Sequence, residues 1–224
     1  NNMFYVFGVG GGVAVLFGFL DDLIDLNVRI KLTIQFLLGG YVLFWFDGGP
    51  LLQIDSLHAL IAIPVTLFFL IWMINAYNFM DGIDGMAASG AVFISGTILL
   101  VMLLTSSISE STIIFVLLLS STIAFMLFNW PPASIFMGDA GSVFLGYTFG
   151  ALLLFTVMSG DLSIWTWLTV FGYFVADTTV TQIARLVLVE KWWRAHRSHA
   201  YQNLARITGS HLKVTGGVTI YHFL

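Results

Sequence analysis

The sequence contains no cysteine, and only 9% of its residues are charged. Without cysteine the chain forms neither a disulfide framework nor a thiolate metal site, and it has no cysteine nucleophile. Soluble domains carry about one quarter charged residues, whereas 58% of this chain is hydrophobic and its mean hydropathy is +0.95. We therefore predict a protein that folds in a lipid bilayer, and we expect no nucleic-acid partner.

Long apolar runs make up most of the 224 residues. A spanning helix needs about 20 residues, so the chain has room for about seven or eight passes. We predict an all-α, polytopic transmembrane helical bundle that forms a single domain over residues 1–224. Because apolar runs stand at both ends without the charged region of a signal peptide, we also expect further helices beyond each end. The runs predict spans at residues 3–20, 32–46, 57–76, 86–104, 112–128, 143–158 and 163–189, with another beginning near Val214.

Lysine and arginine are absent from every second connection between these predicted spans. All eight lie after the first span or in and beside the segment that follows the seventh. Because basic residues are enriched in cytoplasmic loops, we predict that the first, third, fifth and seventh connections are cytoplasmic. The unusual polar residues fall in the same connections. An ionisable group at the bilayer centre costs about 2.5 to 3.5 kcal/mol, so we expect these side chains to lie at helix ends and to be functional.

The first connection begins with three aspartates, Asp21, Asp22 and Asp25. If the helix continues through them, residues three and four apart share one face and their charges repel. A divalent cation or a shared proton would relieve that repulsion, and Mg²⁺ favours one or two carboxylates together with substrate phosphates. A solvated acidic helix end balanced by Arg29 and Lys31 explains the spacing equally well.

The third connection contains two amides and two acids at spacings of three, Asn75, Asn78, Asp81 and Asp84. This spacing places them on one helical face. The two Asp-Gly pairs predict a helix break that brings backbone amides close to a ligand. An ordinary turn would not need asparagines inside an apolar run, so this motif favours a functional site.

The fifth connection combines Asn129 with Pro131 and Pro132, and then with the turn Gly-Asp-Ala-Gly-Ser that contains Asp139. The prolines end one helix, and the turn opens onto the next span. The first amides of a helix and its positive dipole end attract anions. Asp139 is thus a candidate metal ligand beside amides that bind phosphate, and an ordinary interfacial turn is an equally good interpretation.

The last connection carries His196, Arg197 and His199 beside Trp192 and Trp193. The tryptophans favour a juxtamembrane belt on anionic lipid, whereas the imidazoles beside an arginine suit a phosphate-rich pocket. Zinc is disfavoured because the chain has no cysteine and no His-Glu-x-x-His spacing. Within the seventh predicted span, Asp177 is a further functional candidate, as intramembrane acids generally are.

Taken together and in this order, the four motifs resemble those of the polyprenyl-phosphate N-acetylhexosamine-1-phosphate transferases. That family includes the muramoyl-pentapeptide translocase and the enzymes that initiate O-antigen, enterobacterial common antigen and teichoic-acid linkage synthesis. The matching stretches, which extend from Gly18 to Leu204, are GFLDDLIDLNVRIKL, NAYNFMDGIDG, NWPPASIFMGDAGS and HRSHAYQNL. The resemblance implies a multi-pass catalytic domain in the bacterial inner membrane with its active site on the cytoplasmic face.

By the same resemblance, a polyprenyl phosphate attacks the β-phosphate of a UDP-N-acetylhexosamine and UMP leaves. The family requires Mg²⁺, with Mn²⁺ as an alternative. Asp21 and Asp22 match the aspartate pair credited with orienting or deprotonating the lipid phosphate. The residues that match the nucleotide and diphosphate region are Asn75, Asn78, Asp81 and Asp84.

The remaining motifs match positions around the uracil, the metal and the diphosphate. Asn129 and Phe136 match positions near the uracil, and Asp139 matches the metal-linked aspartate, with Asp81 expected as a second metal ligand. The histidine motif, matched by His196, Arg197 and His199, lies near the diphosphate in the family.

Several alternatives stay open. The two separated histidines differ from the consecutive histidines of the muramoyl-pentapeptide enzyme and favour the surface-polysaccharide branch, with N-acetylglucosamine, N-acetylfucosamine or N-acetylquinovosamine as the sugar. The oligomeric state is undetermined, and a homodimer is one option. A proton- or cation-coupled secondary transporter is the alternative function, although such proteins place acids near the midplane, often within inverted repeats. A structural membrane scaffold is the third.

Overall fold

The structure, a computed structural model, describes residues 2–46, 56–188 and 197–222, with the backbone alone at residues 56–60. Within these ranges the chain forms only helices and the turns between them. Six helices have the length and apolar composition to cross a membrane. The predicted all-α, polytopic membrane architecture is confirmed. The six are α1 (Phe4–Ile24), α2 (Val28–Trp45), α3 (Ser56–Phe79, with Ile61–Phe79 as its candidate span), α4 (Met86–Leu104), α5 (Glu110–Asn129) and α6 (Gly138–Met158).

Six candidate spans in the described residues are fewer than the seven or eight that the sequence predicted. The seventh apolar run forms two shorter helices, α7 (Ile164–Val170) and α8 (Gly172–Val187), which are separated at Phe171. Backbone hydrogen bonds still cross this break, since the Phe171 N–H donates to the Trp167 carbonyl at 2.9 Å. The region of the predicted eighth span contributes a 12-residue helix that extends to the last described residue. The last helices are α9 (Ala200–Thr208) and α10 (His211–His222).

Two compact units make up the chain. The first comprises Asn1–Asn78 and Gly138–Ser163, and so contains α1, α2, nearly all of α3, and α6. The second comprises Phe79–Met137 and Ile164–Leu224, with α4, α5 and α7 to α10. The expectation of a single domain over residues 1–224 stays a prediction.

Glycines allow the helices of the first unit to approach closely. A Cβ atom at Gly18 in α1 would overlap the backbone carbonyl of Asp139 in α6. A Cβ atom at Gly146 in α6 would lie 2.7 Å from the Cα atom of Ile74 in α3. Small residues permit such backbone contact between membrane helices, so α6 packs tightly against both α1 and α3.

The second unit packs around the N-terminal half of α4, where Ala87, Ala88 and Ala91 are fully buried. A Cβ atom at Gly90 would overlap the ring of Phe174 in α8, which shows how closely the two helices approach. The loop that carries Asp81 and Asp84 leads directly into α4.

Candidate active site

The three aspartates at the end of α1 have different surroundings. The helix ends at Ile24, and Asp25 follows with a left-handed φ of 45°, so it does not share a helical face with the other two. Asp21 is 6% exposed, and its carboxylate accepts the Leu26 N–H at 2.9 Å and pairs with Lys31 Nζ at 2.8 Å. Lys31 balances Asp21 as one interpretation expected, but Asp21 is buried, so this part of the helix end is not solvated.

Asp22 is bound to the start of α6. The Asp139 N–H donates to Asp22 Oδ1 at 2.9 Å, and the Ala140 N–H donates to Asp22 Oδ2 at 3.1 Å. The amides in the first turn of a helix have no intrahelical acceptor. The sequence predicted that the amides at the start of this span would be available to a phosphate, and for these two amides that prediction is wrong because a carboxylate of the chain itself binds them.

Asn78 and Asp139 lie together although they come from different motifs. Asn78 Nδ2 donates to Asp139 Oδ1 at 2.8 Å and to Ser142 Oγ at 3.0 Å. The Asp21 carboxyl group lies near enough to Asp139 to interact with it electrostatically. Neighbouring carboxylates repel each other unless a positive charge lies close by, which is the environment expected of a metal-linked aspartate.

Asn75, predicted to bind substrate, forms a reciprocal amide pair with Gln35. Asn75 Nδ2 donates to Gln35 Oε1 at 2.8 Å, and Gln35 Nε2 donates to Asn75 Oδ1 at 3.3 Å. Asn75 Nδ2 also donates to the Ile71 carbonyl at 2.8 Å. The sequence analysis missed Gln35, which is 5% exposed, although an amide inside an apolar run was the signal that identified Asn75.

In the second unit, Asp84 connects three segments. Its Oδ1 lies 3.3 Å from His211 Nδ1 at the start of α10, and its Oδ2 accepts the Ala133 N–H at 3.2 Å. Its backbone carbonyl accepts the Thr215 hydroxyl at 2.7 Å. His211 and Thr215 did not enter the predicted site, because no local pattern relates α10 to a loop more than a hundred residues before it.

Asn129 holds two loops of the second unit in place. It is 3% exposed; its Oδ1 accepts the Gly85 N–H at 3.1 Å, and its Nδ2 donates to the Ile135 carbonyl at 2.8 Å. Phe136, the next residue, is 73% exposed and presents an open aromatic ring. The roles of Asn129 and Phe136 near a uracil stay predictions. In the structure, Asn129 connects the loop before α4 to the loop after α5.

His199 is buried at the start of α9, with 2% exposure. Its Nδ1 lies 3.8 Å from Asp177 Oδ1, and the same oxygen accepts the Ala200 N–H at 2.9 Å. The His199 N–H donates to Gln202 Oε1 at 3.3 Å in a capping box. Asp177, which the sequence marked as an intramembrane acid, therefore anchors the N-terminus of α9 and lies beside the imidazole of the histidine motif.

Tyr201 anchors α9 to the end of α3 and to the loop that follows it. Its hydroxyl donates to the Phe79 carbonyl at 2.6 Å, and a Cβ atom at Gly82 would overlap that hydroxyl. Burial, together with the carboxylates of Asp177 and Asp81, raises the pKa of Tyr201 above its ordinary value. The phenol thus stays protonated, and Asp81 is close enough to α9 to contribute to its electrostatics.

Two further predicted residues belong to the histidine motif. His196 lies outside the described residues. Arg197 is exposed, and its backbone carbonyl accepts Arg206 Nη2 at 3.2 Å.

The predicted metal ligands Asp139 and Asp81 belong to different units. Among the described residues, no group of three or more histidines, aspartates or glutamates is arranged to hold a metal ion. Mg²⁺ commonly uses only one or two carboxylates and takes its other ligands from water and phosphate, so a three-residue cage is not required. The metal assignment of both aspartates stays a prediction.

The second and third sequence motifs are each divided between the two compact units. The first unit joins Asp22 of the first motif to Asp139 of the third, and Asp139 to Asn78 of the second. The second unit joins Asp84 of the second motif to Asn129 and the loop of the third. Each unit therefore assembles halves of motifs that are far apart in the sequence.

Known proteins share this sequence pattern. Residues 4–157 match the family described as Glycosyl transferase family 4. The chain is 30% identical over 213 residues to the probable undecaprenyl-phosphate N-acetylglucosaminyl 1-phosphate transferase of Bacillus subtilis (strain 168), covering 91% of this chain and 58% of the relative. It is 32% identical over 213 residues to the undecaprenyl-phosphate alpha-N-acetylglucosaminyl 1-phosphate transferase of Thermotoga maritima, covering 93% of this chain and 63% of the relative.

A relative with a different name is also similar. The phospho-N-acetylmuramoyl-pentapeptide-transferase of Streptococcus pneumoniae (strain CGSP14) is 33% identical over 177 residues, covering 73% of this chain and 52% of the relative. The chain thus spans roughly half to three-fifths of the length of these curated relatives. The resemblance that the four motifs indicated is confirmed at the level of the family.

Proposed function

Because the chain belongs to glycosyl transferase family 4, we propose that the full-length protein transfers an N-acetylhexosamine 1-phosphate group from a UDP-sugar to undecaprenyl phosphate. An oxygen of the lipid phosphate attacks the β-phosphorus and forms a new P–O bond. The bond between that phosphorus and the bridging oxygen breaks, and UMP leaves. The names of two relatives support N-acetylglucosamine as the first sugar to test, ahead of N-acetylfucosamine and N-acetylquinovosamine.

One observation carries this proposal: the first unit collects carboxylate and amide side chains at helix ends. Asn78 donates to the Asp139 carboxylate, Asp22 accepts the Asp139 N–H, and the neighbouring Asp21 pairs with Lys31. Phosphoryl transfer needs little covalent chemistry from the protein and depends on positioning and on neutralising charge. A rigid cluster of oxygen ligands with an adjacent cation suits that task. A transporter would instead be expected to hold its acids near the midplane.

The Asp139 carboxyl group fits a Mg²⁺ ion, because this hard cation takes one or two carboxylates along with phosphate oxygens and water. We propose Asp139 as a ligand, and Mn²⁺ as a substitute that favours the same oxygen ligands. The assignment of Asp81 as a metal ligand stays a prediction. When bound, the ion would neutralise charge on the diphosphate. Asn78 would hold the Asp139 carboxylate in a fixed orientation, and the ion pair with Lys31 would hold Asp21 in place.

The other assignments concern the lipid phosphate and the nucleotide. Asp21 would orient the lipid phosphate or accept its proton, and the exposed ring of Phe136 would stack on the uracil. Asp84, Arg197, His196 and His199 would act near the diphosphate; the buried position of His199 favours a contribution through charge and loop position. We place this chemistry at the cytoplasmic face of the inner membrane, where it would initiate a surface polysaccharide or cell-wall glycan. A homodimer stays a prediction.

Purified full-length protein with Mg²⁺ and undecaprenyl phosphate tests the proposal. A panel of UDP-N-acetylglucosamine, UDP-N-acetylfucosamine, UDP-N-acetylquinovosamine and UDP-N-acetylmuramoyl-pentapeptide should give UMP from one of the first three. Asp139→Asn and Asp81→Asn should abolish UMP release, while Glu110→Gln, which removes an exposed charge at the start of α5, should leave it unchanged. Failure of every sugar in the panel to release UMP overturns the proposal.

A further inference from the structure

Asp22 has a role that its motif does not disclose. The aspartate pair of the family is credited with acting on the lipid phosphate, but in this chain both carboxylate oxygens of Asp22 accept backbone amides of α6. We propose that Asp22 is a positioning residue: it fixes the first turn of α6, and through it the Asp139 carboxylate, and it does not itself contact the lipid phosphate. The inference rests on the proposed function only for its activity readout.

Asp22 caps the N-terminus of α6 with both oxygens of its carboxylate. Each oxygen binds a different amide, Asp139 N–H at 2.9 Å and Ala140 N–H at 3.1 Å. Hydrogen bonds to a carboxylate are stronger than those between neutral groups, and the positive end of a helix dipole strengthens the contact further. A phosphate could use the same two amides only by displacing Asp22.

Two glycines leave space for the Asp22 carboxylate at the start of α6. Gly138, the first residue of α6, has a φ of +64°, and a Cβ atom there would lie 2.7 Å from Asp22 Oδ2. On α1, Gly18 lies one helical turn before Asp22 and faces the Asp139 carbonyl so closely that a Cβ atom would overlap it. Any side chain at either glycine would separate Asp22 from the amides it binds. Two independent glycines thus serve the same contact.

The cap formed by Asp22 helps to position Asp139. Asp22 holds its backbone N–H, while Asn78 holds its side chain through Oδ1 at 2.8 Å. The residue is therefore fixed at both its main chain and its carboxylate. Catalytic groups lose much of their effect when displaced by about 1 Å, so loss of the Asp22 cap would impair Asp139 without removing it.

Amide hydrogen exchange measures this cap directly on the full-length protein, without substrate. Asp22→Leu removes both acceptors at similar size, Asp22→Asn keeps one acceptor oxygen, and Asp25→Asn removes a neighbouring charge whose side chain is fully exposed. We expect exchange at the amides of Asp139 and Ala140 to rise about tenfold or more in Asp22→Leu, and less in Asp22→Asn. Asp25→Asn should match the wild type.

Activity then separates positioning from direct chemistry. We expect UMP release to fall in the same order, with Asp22→Asn retaining part of kcat and with a higher Mg²⁺ requirement in both variants, since Asp139 is the group displaced. Gly138→Ala, which leaves Asp22 in the chain but crowds its carboxylate, should reproduce the exchange and the Mg²⁺ effect. Gly138→Ala therefore tests the inference even if Asp22→Leu fails to fold. Unchanged amide exchange in α4 would show that the rest of the protein is folded in each variant.

Unaltered exchange at Asp139 and Ala140 in Asp22→Leu would overturn the inference. The inference would also be overturned if Asp22→Asn and Asp22→Leu lost kcat equally while the exchange rates at Asp139 and Ala140 stayed at the wild-type values. That result is expected of a group that acts on the substrate. If the exchange effect is present but the wild-type protein releases no UMP, the cap is correct and the proposed function fails. The two conclusions can therefore be distinguished.

Discussion

The side-chain amide of Asn78, near the end of α3, donates a 2.8 Å hydrogen bond to Oδ1 of Asp139, in the first turn of α6. The two residues are 61 positions apart in the chain. The bond links the second motif to the third inside one compact unit, and the same nitrogen also contacts Ser142. Its function is to orient a carboxylate that would otherwise rotate freely about its side-chain bonds.

Asn78→Ala should therefore reduce activity while leaving the fold intact. A hydrogen bond to a charged group contributes about 1.5 to 3 kcal/mol, which corresponds to about a tenfold to hundredfold loss of kcat/KM for UMP release. Asn27→Ala is the matched control: Asn27 caps α2 by accepting the Arg29 N–H at 2.9 Å, so its loss should lower thermal stability without changing kcat/KM. Equal activity of Asn78→Ala and the wild type would contradict the orienting role.

Gly18→Ala should destabilise the first unit, because the added methyl group overlaps the Asp139 carbonyl and forces α1 away from α6. Overpacking of this kind costs about 1 to 3 kcal/mol. Gly12→Ala, in the same helix, meets no atom within 4 Å and should not lower stability. The apparent Tm of both variants in detergent, followed by tryptophan fluorescence, checks the difference; a similar Tm for the two would argue against close packing at Gly18.

Asn129→Leu should destabilise the second unit more than Asn129→Asp. Leucine leaves both the Gly85 N–H and the Ile135 carbonyl without their partner, at about 1 to 3 kcal/mol for each buried group. Aspartate keeps an acceptor for Gly85 but cannot donate to Ile135. The apparent Tm should fall in the order wild type, Asp, Leu, and hydrogen exchange should rise at residues 85 and 135. The reverse order would show that charge, rather than hydrogen bonding, governs the site.

Tyr201 should make the stability of the protein depend on pH in the alkaline range. Burial and the nearby Asp177, Asp81 and Tyr173 raise its pKa in the folded state, whereas the unfolded value is about 10. The folded chain holds this proton more strongly than the unfolded chain, so the contribution is complete below about pH 10 and is lost as the pH rises toward the folded-state pKa.

Tyr201→Phe tests this dependence. The variant removes the ionisable group together with the bond to the Phe79 carbonyl, so its apparent Tm should be lower near neutral pH by the equivalent of about 1 kcal/mol. Between about pH 9 and 11, the Tm of the wild type should fall more steeply than that of Tyr201→Phe. Parallel curves for the two proteins would show that Tyr201 does not control the alkaline loss of stability.

Much of the helical framework was predictable because apolar runs and their breaks are local features. The run at residues 86–104 was predicted with the bounds that α4 adopts, and the two asparagines of the second motif lie near the end of α3. The seventh run gave two helices instead of one span because the chain departs from helical geometry at Phe171. At Asp25, a left-handed backbone ended the helix that the spacing argument had assumed to continue.

The sequence by itself determined which residue types stand at the helix ends, and the order of four motifs was enough to indicate the family. Only the tertiary structure decided the partners: Asp22 on the amides of α6, Asn78 on Asp139, Gln35 on Asn75 and His211 on Asp84. The physical reason is that local patterns fix a side chain's place along its own helix. Which group it meets depends on how closely two helices approach, and at Gly18 and Gly146 that distance is set by the absence of a Cβ atom.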